Sequence, residues 1–327
     1  MRIMIDIRLM RHVLALNTYR NFARAAESLH ISQPALSRSI AGLELDLGVK
    51  LFDRMSSGIQ PTPYGLILIE RGNEIIDKEK DLRREILLLQ GIEIGELTLG
   101  AGPYPFDISA CKAVADLIAE FPNLLVRIDT GSPPDIVDRV LNGGIDLGVV
   151  DVRHSADDAR LEIETLPLHT VVCCCRRNHP LAGKRSVELA EILAYPLVGT
   201  VMPAALGELL SSGGAAGRID PESRNFLPAI TVNSIAAART IALGCDAMLP
   251  IVLSCVEAEL ESGDLVIIDF MAPWMRVQYG FVSKNERTHS PAAIELMARI
   301  RAVEAASVEL ENRLIAKYAS FSNPQVV

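Results

Sequence analysis

The first sixty positions alternate apolar and polar residues in short bursts at helical spacing. Ile7 to Leu16 carries one such burst and predicts a helix. A second helix, Phe22 to Leu29, follows the N-cap Asn21, with Ala25, Ala26 and Leu29 packed inward. A third begins almost at once: Ser32 is its N-cap, and Pro34 sits in the first turn, where a missing N–H costs nothing. Leu36, Ile40, Leu43 and Leu47 then form one apolar stripe, closed by Gly48. The segment "VKLFDRMSSGIQPT" sets two apolar runs around a Ser-Ser-Gly turn, which predicts a small β-ribbon. From Pro63 to about Leu89 the pattern is one long helix, charged outside, with Leu68, Ile75, Leu82 and Leu89 seven residues apart. That spacing is a dimer seam. Gly72 and Glu79 weaken the second row of the heptad, so a helix lying on its own domain is the alternative reading.

Beyond Gly91 strands and helices alternate: "ELTLGA", a helix from about Phe106 to Glu120, "LLVRID", a helix from Pro133 to Leu141, and "IDLGVV". A second set starts near Leu166 with "HTVVCCC", "PLVG", "AITV", a helix from Ile235 to Leu243, and "LVIID". "RVQYGFV" and a helix capped by Ser290 and Pro291 finish the chain. This is α/β architecture without a repeat of 20 to 50 residues or a low-complexity tract; Gly143–Gly144 and Ser211 to Gly217 are Gly-rich turns.

Composition adds a partition. The 327 residues, 49% hydrophobic and 22% charged, suffice for two or three ordinary cores. The formal charge is −9, yet residues 1 to 62 hold eight Arg or Lys against five acids, a net of +3, which leaves −12 for the rest. A small polyanion-binding module joined to an acidic body fits that asymmetry. No apolar run approaches the roughly 20 residues of a membrane span, and Asp6, Arg8 and Arg11 interrupt the N-terminal apolar stretch, so a cytoplasmic protein without membrane partners is expected. Six Cys, three of them contiguous at Cys173 to Cys175, make no disulfide framework; on a strand Cys173 and Cys175 share one face and Cys174 the other.

With the third helix's stripe turned inward, Gln33, Pro34, Ser37, Arg38 and Ala41 lie on the outer face toward its N-terminal end. Two helices joined by the brief turn His30–Ile31–Ser32 make a helix-turn-helix, whose second helix meets base edges in the DNA major groove. Gln pairs with adenine, Arg with guanine or phosphate, Ser with either edge, and Pro34 or Ala35 meets a thymine methyl. A capped surface helix without a ligand is the plain alternative. The basic balance and a ribbon bearing Lys50 and Arg54, suited to gripping phosphate, weigh against it.

These residues resemble the LysR-type transcriptional regulators. The matching segments are "NFARAAESLHISQPALSRSIAGLELDLGVKLFDR", "PTPYG" at the start of the long helix, "NHPLAGK" from Asn178 to Lys184, and "GCDAMLP" from Gly244 to Pro250. The likeness runs in order along the whole chain. It implies a winged helix-turn-helix over 1–62, a dimerising linker helix over 63–91, and an effector-binding domain over 92–327 resembling type 2 periplasmic binding proteins. Two crossovers, near Leu166 to Leu168 and Ile268 to Phe270, then divide that domain into one subdomain of 92–165 plus 269–327 and another of 166–268. Operator DNA, a second copy, a tetramer built from dimers, and RNA polymerase in the case of an activator are the implied partners. No cofactor is implied beyond a small-molecule effector.

The family's DNA contacts carry over onto Gln33, Pro34, Ser37 and Arg38, with Arg54 at the wing and Arg24 and Thr62 as phosphate neighbours. Effector positions fall at strand ends and helix starts: Tyr104, Pro105, Ser132, Gly199, Thr200, Asn233 and Ser234. Free backbone N–H groups there would bind a carboxylate, so a small organic acid or similarly polar metabolite is expected. Ordinary turn chemistry is the alternative for each residue taken singly. The sequence departs from the family at Asn21, commonly Ser and equally a cap, and at Asp246, usually Gly, where a side chain either narrows the cleft or meets a ligand.

Enzymes are poorly supported. His154 with Ser155, and Cys175 with His179, lack a third group or a nucleophile elbow. A metal site at Cys173–Cys175 with His179 is disfavoured because a strand points adjacent side chains apart. Cys245 and Cys255 suggest a thiol switch, but "TVMPAAL" holds no Cys where oxidant-sensing relatives place theirs. A plain solute-binding protein would leave the basic N-terminal module unexplained.

Overall fold

The computed structural model describes residues 6–55, 58–90, 95–153, 158–210, 214–319 and 321, in two compact units, Met1–Gln90 and Gly91–Val327. His154 and Ser155 lie outside the described residues.

In the first unit, α1 (Ile7–Tyr19), α2 (Phe22–Ser28) and α3 (Gln33–Leu47) precede a ribbon of β1 (Phe52–Met55) and β2 (Gly58–Pro61), and α4 (Pro63–Gln90) follows. Val13, Leu16, Ala25, Ala26, Leu36, Ile40, Leu43 and Leu51 form the core. The α2–α3 turn is tight because His30 adopts a left-handed φ of 54° and the Ile31 N–H donates back to the Ala26 carbonyl at 3.0 Å. Ser32 caps α3, and Gly48 ends it at a φ of 71°. The ribbon is antiparallel and pairs Phe52 with Pro61.

α4 has one strip packed on its own unit and an adjoining strip that is exposed. One strip rests on α1: Gly72 lets Met10 approach, Ile76 is buried, and Glu79 pairs with Arg11 at 3.1 Å. Leu68 packs on the same core, so it is removed from the expected seam. An adjoining strip exposes Ile67, Ile75, Leu82 and Ile86; the side chain of Leu89 lies outside the description.

In the second unit β3 (Gly95–Ala101) leads into α5 (Pro103–Pro105), a π turn (Phe106–Ala110) and α6 (Cys111–Glu120). Then come β4 (Leu124–Thr130), α7 (Pro133–Leu141), β5 (Leu147–Asp151), the long β6 (Leu161–Arg176), α8 (Leu189–Leu193) and β7 (Val198–Gly199). After α9 (Ala204–Leu210), β8 (Gly217–Ile219), β9 (Phe226–Pro228) and β10 (Ile230–Thr231), the chain forms α10 (Ile235–Gly244) and β11 (Leu249–Val252). It ends with α11 (Glu257–Ser262), β12 (Leu265–Ile267), β13 (Arg276–Lys284) and α12 (Pro291–Tyr318). The main sheet runs β11-β6-β13-β5-β3-β4, with β12 also on β6. Gly100 lets α7 settle on this sheet, since a Cβ there would stand 2.7 Å from Ile136 Cγ2.

β6 serves both halves of the unit. Leu161 to Thr170 pairs with β13, Val171 to Cys174 with β11, and Cys174 to Arg176 with β12. The crossover expected at Leu166 to Leu168 is therefore part of an unbroken strand. One core gathers Leu97, Leu99, Leu117, Phe281, Leu296 and Ile300. In the other half Cys174 packs with Ile235, Leu249 and Leu314, whereas Cys173 and Cys175 pack with Ile192, Leu193 and Phe226. Burial pushes all three thiols up, Cys175 to about 12, which fits packing rather than reactivity. The boundary expected at 269 shifts as well: Phe270, Trp274 and Met275 still pack in the second half, and the end of α12 returns to it through Leu310, Leu314 and Tyr318.

A buried polar cluster spans the two halves. His169 on β6 holds Glu304 through Nε2 at 2.6 Å and Glu311 through Nδ1 at 2.8 Å. Ser109 in the π turn donates to Glu304, and Ser254 beyond β11 donates to Glu311 at 3.0 Å. Burial opposes the imidazolium, but the two carboxylates outweigh it and hold the His169 pKa up at about 9.

Candidate functional site

The reading face is built by α3. Leu36, Ile40 and Leu43 are buried on one side, and Gln33, Pro34 and Arg38 are exposed with Ser37 half-buried on the other. Arg24 is exposed on the neighbouring α2, where Asn21 caps the helix by accepting from the Ala23 N–H at 2.8 Å. Neither Arg24 nor Arg38 has an ion-pair partner among the described residues. Arg54 stands on β1 opposite Ile59, its side chain outside the description.

Thr62 departs from expectation. It is 8% exposed; its hydroxyl donates to the Lys50 carbonyl at 2.6 Å and accepts from the Gly65 N–H at 3.1 Å. The phosphate contact assigned to it is corrected to a cap that seats α4 on the ribbon. Sequence reasoning also missed Glu44, a buried carboxylate near the end of α3. It accepts from the Leu51 and Phe52 N–H groups at 2.9 and 3.3 Å and meets Lys50 Nζ at 2.7 Å. Burial works against its charge, yet Lys50 and the two amides hold its pKa below the usual range. The ribbon is thereby fixed to the reading helix.

The second unit holds a cavity of about 480 Å³ lined by Tyr104, Pro105, Ser132, Gly199, Thr200 and Asn233. Those six expected residues come together from β3, β4, β7 and β10. Ser234 does not join them; its hydroxyl caps α10 through the Ala237 N–H at 3.3 Å. Asp246 lies outside the lining and pairs with Arg176 at 2.9 Å.

The helix starts offer fewer backbone N–H donors than expected. Pro133 and Pro134 deprive α7 of its first two donors, and the next, on Asp135, is taken by Ser132 Oγ at 3.3 Å. At α10 the Ala236 N–H is held by Asp107. Side chains line the cavity as well. Arg153 clasps Asp151, its Nε 2.9 and 3.0 Å from the two oxygens. The Tyr104 hydroxyl donates to the Pro250 carbonyl at 2.9 Å. Among the described residues the Thr200, Asn233 and Arg276 side chains have no hydrogen-bond or ion-pair partner, and the Tyr279 hydroxyl is buried without one. Most of the remaining wall is apolar, with Leu193, Leu206, Phe270 and Trp274 prominent.

Comparison with known proteins identifies both units. The LysR-family bacterial regulatory helix-turn-helix profile matches residues 7–66, and the LysR substrate binding domain profile matches residues 90–305. The SDS degradation transcriptional activation protein of Pseudomonas sp. (strain ATCC 19151) is 37% identical over 297 residues, 88% of this chain and 93% of that protein. The HTH-type transcriptional regulator CbbR of Sinorhizobium medicae (strain WSM419) is 28% identical over 301 residues, 88% and 90% of the two chains. Among solved structures, a full-length OxyR variant from Pseudomonas aeruginosa matches with a TM-score of 0.63 at 19% identity, covering 91% of this chain and 98% of that one. Full-length CbnR complexed with its target DNA matches at a TM-score of 0.54, 19% identity, 91% and 100% coverage. The chain belongs to the LysR family of DNA-binding transcriptional regulators, carrying a substrate-binding domain for a small-molecule effector and acting as no enzyme.

Proposed function

We infer that this regulator reads an operator through Gln33, Pro34, Ser37 and Arg38, with Arg24 and the wing residue Arg54 on phosphates. The observation that carries this reading is the outer face of α3: exposed polar side chains, free of ion pairs, on a helix whose other side closes the core. The exposed strip of Ile67, Ile75, Leu82 and Ile86 supports pairing of two copies through α4; tetramers assembled from such dimers belong to the same reading. No helix among the described residues is long and apolar enough to cross a membrane, in keeping with a cytoplasmic site of action. The relative named for activation of SDS degradation favours an activator that engages RNA polymerase, with an organic acid or acid ester as its signal. Binding to operator and random duplexes across a salt series tests the core of this reading. Preferential binding that weakens steeply with salt is the expected result, and absence of duplex binding at low salt overturns it.

A further inference from the structure

The antiparallel ribbon is tied to the rest of the first unit at its root, where the chain passes from α3 into β1 and from β2 into α4. On the α3 side the Glu44 carboxylate accepts from the Leu51 and Phe52 N–H groups and from Lys50 Nζ. On the α4 side the Thr62 hydroxyl donates to the Lys50 carbonyl, and the Thr62 N–H donates to the Leu51 carbonyl at 2.9 Å. Gly65 completes this seat, since a Cβ there would collide with the Leu51 oxygen. Lys50, Leu51 and Phe52 are thus bonded to the reading helix on one side, and Lys50 and Leu51 to the start of α4 on the other.

Apolar packing fixes only the inner side of the ribbon, where Leu51, Phe52 and Ile59 join the core. Toward the reading face a hollow of about 320 Å³ lies between α3 and the ribbon, walled by Ser37, Ala41, Glu44, Lys50, Phe52 and Asp53. The distance from the ribbon to Ser37 is therefore left to the polar bonds of the root. Burial gives those bonds weight: Glu44 and Thr62 are each 8% exposed, and a buried polar group left unpaired is costly. A phosphate would repel Glu44, and both side chains are already spent on the ribbon root, so neither serves as a DNA contact itself.

We propose that Glu44 and Thr62 are positioning residues for operator reading: they hold the ribbon root so that Arg54 on β1 meets a phosphate while Gln33, Ser37 and Arg38 are seated on their bases. This rests on the operator reading given above and adds the residues that make its two sets of contacts simultaneous. On an operator the bases fix the helix, so a displaced ribbon loses its phosphate. On random duplex no base contact fixes the helix, and a displaced ribbon still finds a phosphate; the loss is therefore confined to the operator.

An operator duplex selected by the wild-type protein from a randomised library, and a random duplex of the same length, are titrated with full-length protein by fluorescence anisotropy across a salt series. The temperature is kept below the onset of melting of every variant, followed by circular dichroism. Glu44→Ala lowers operator affinity about tenfold and random-duplex affinity less than about threefold, and the salt slope on the operator falls by about one, the change Arg54→Ala produces by itself. Thr62→Val, which alters neither shape nor charge, shows the same signature and decides the matter if Glu44→Ala melts too low for the assay. Adding either substitution to Arg54→Ala brings little further loss on the operator, whereas adding it to Gln33→Ala multiplies the two losses. Equal losses on both duplexes, an unchanged salt slope in Thr62→Val, or full additivity with Arg54→Ala overturns the proposal. Selective operator binding that the variants share with wild type removes the positioning role alone; wild-type protein that binds no duplex removes the operator reading with it.

Discussion

Raising the pH from 6.5 to 8 should loosen the effector-binding domain chiefly through one residue, His169, before the buried thiols of Cys173, Cys174, Cys175 and Cys255 add to the same trend. Its imidazolium is fully buried between Glu304 and Glu311, and its pKa is held at about 9, against about 6.5 in an unfolded chain. The native state therefore keeps a proton that the unfolded state has released. Stability from this group is complete below about pH 6.5 and is lost as pH rises through about 9, with a limiting slope of about 1.4 kcal/mol per pH unit and a total on the order of 3 kcal/mol. Trp274 lies in the same domain, so urea unfolding followed by its fluorescence at pH 6.5, 7.0, 7.5 and 8.0 isolates the relevant transition. The midpoint should fall across the series. In His169→Gln most of the pH slope over this window should be lost, and the domain should be weaker by about 3–5 kcal/mol at pH 6.5, because two buried carboxylates lose their cation. A wild-type midpoint that is flat from pH 6.5 to 8.0, or a slope undiminished in His169→Gln, refutes the linkage.

Gln33→Ala and Arg38→Ala should each cost about 1–3 kcal/mol of operator affinity in electrophoretic shift titrations, with less change on random DNA; equal losses on both would remove the base-reading role. Asp at Ile75 and at Leu82, both exposed on α4, should leave the fold intact and split the dimer in sedimentation, and an intact assembly would reject that seam. Glu44→Ala strands two amides and should destabilise the first unit by about 1–3 kcal/mol in a thermal melt. Because the Glu44 pKa is depressed, its contribution is present above the ordinary carboxylate range and is lost as pH falls below that range through the depressed folded value; the variant should show less acid sensitivity than wild type.

Local signals made the first unit readable. Caps at Asn21 and Ser32, the stop at Gly48 and the apolar stripe of α3 each act within a few residues, and each stands where its chemistry requires. Glu44 was hidden because its role depends on a ribbon that folds back over it, a contact absent from helical periodicity. In the second unit the strand ends marked six cavity residues, while Tyr279, Arg276 and Trp274 went unnoticed. Tyr279 stands on β13 opposite a bulge of β6, where Leu166 and Pro167 face it together, and alternation along one strand does not reveal which residues line the cavity. At α7 the expected backbone donors are missing for a reason printed in the sequence: Pro133 and Pro134 have no N–H. Glu304 and Glu311 carry no local signal of their burial, which depends on β6 placing His169 between them.

The path of α12 constrains how the protein is made. Its first turns complete the core around Leu97 and Leu117 through Leu296 and Ile300, and its last turns bring Leu314 to the core around Ile235 and Leu249. On the ribosome the helix-turn-helix unit has every residue of its core once α4 has emerged. The effector-binding half must wait with Ile235, Leu249 and Ile251 uncovered until Leu314 is added. A nascent regulator can thus own a finished DNA-reading face before it owns the domain that governs it.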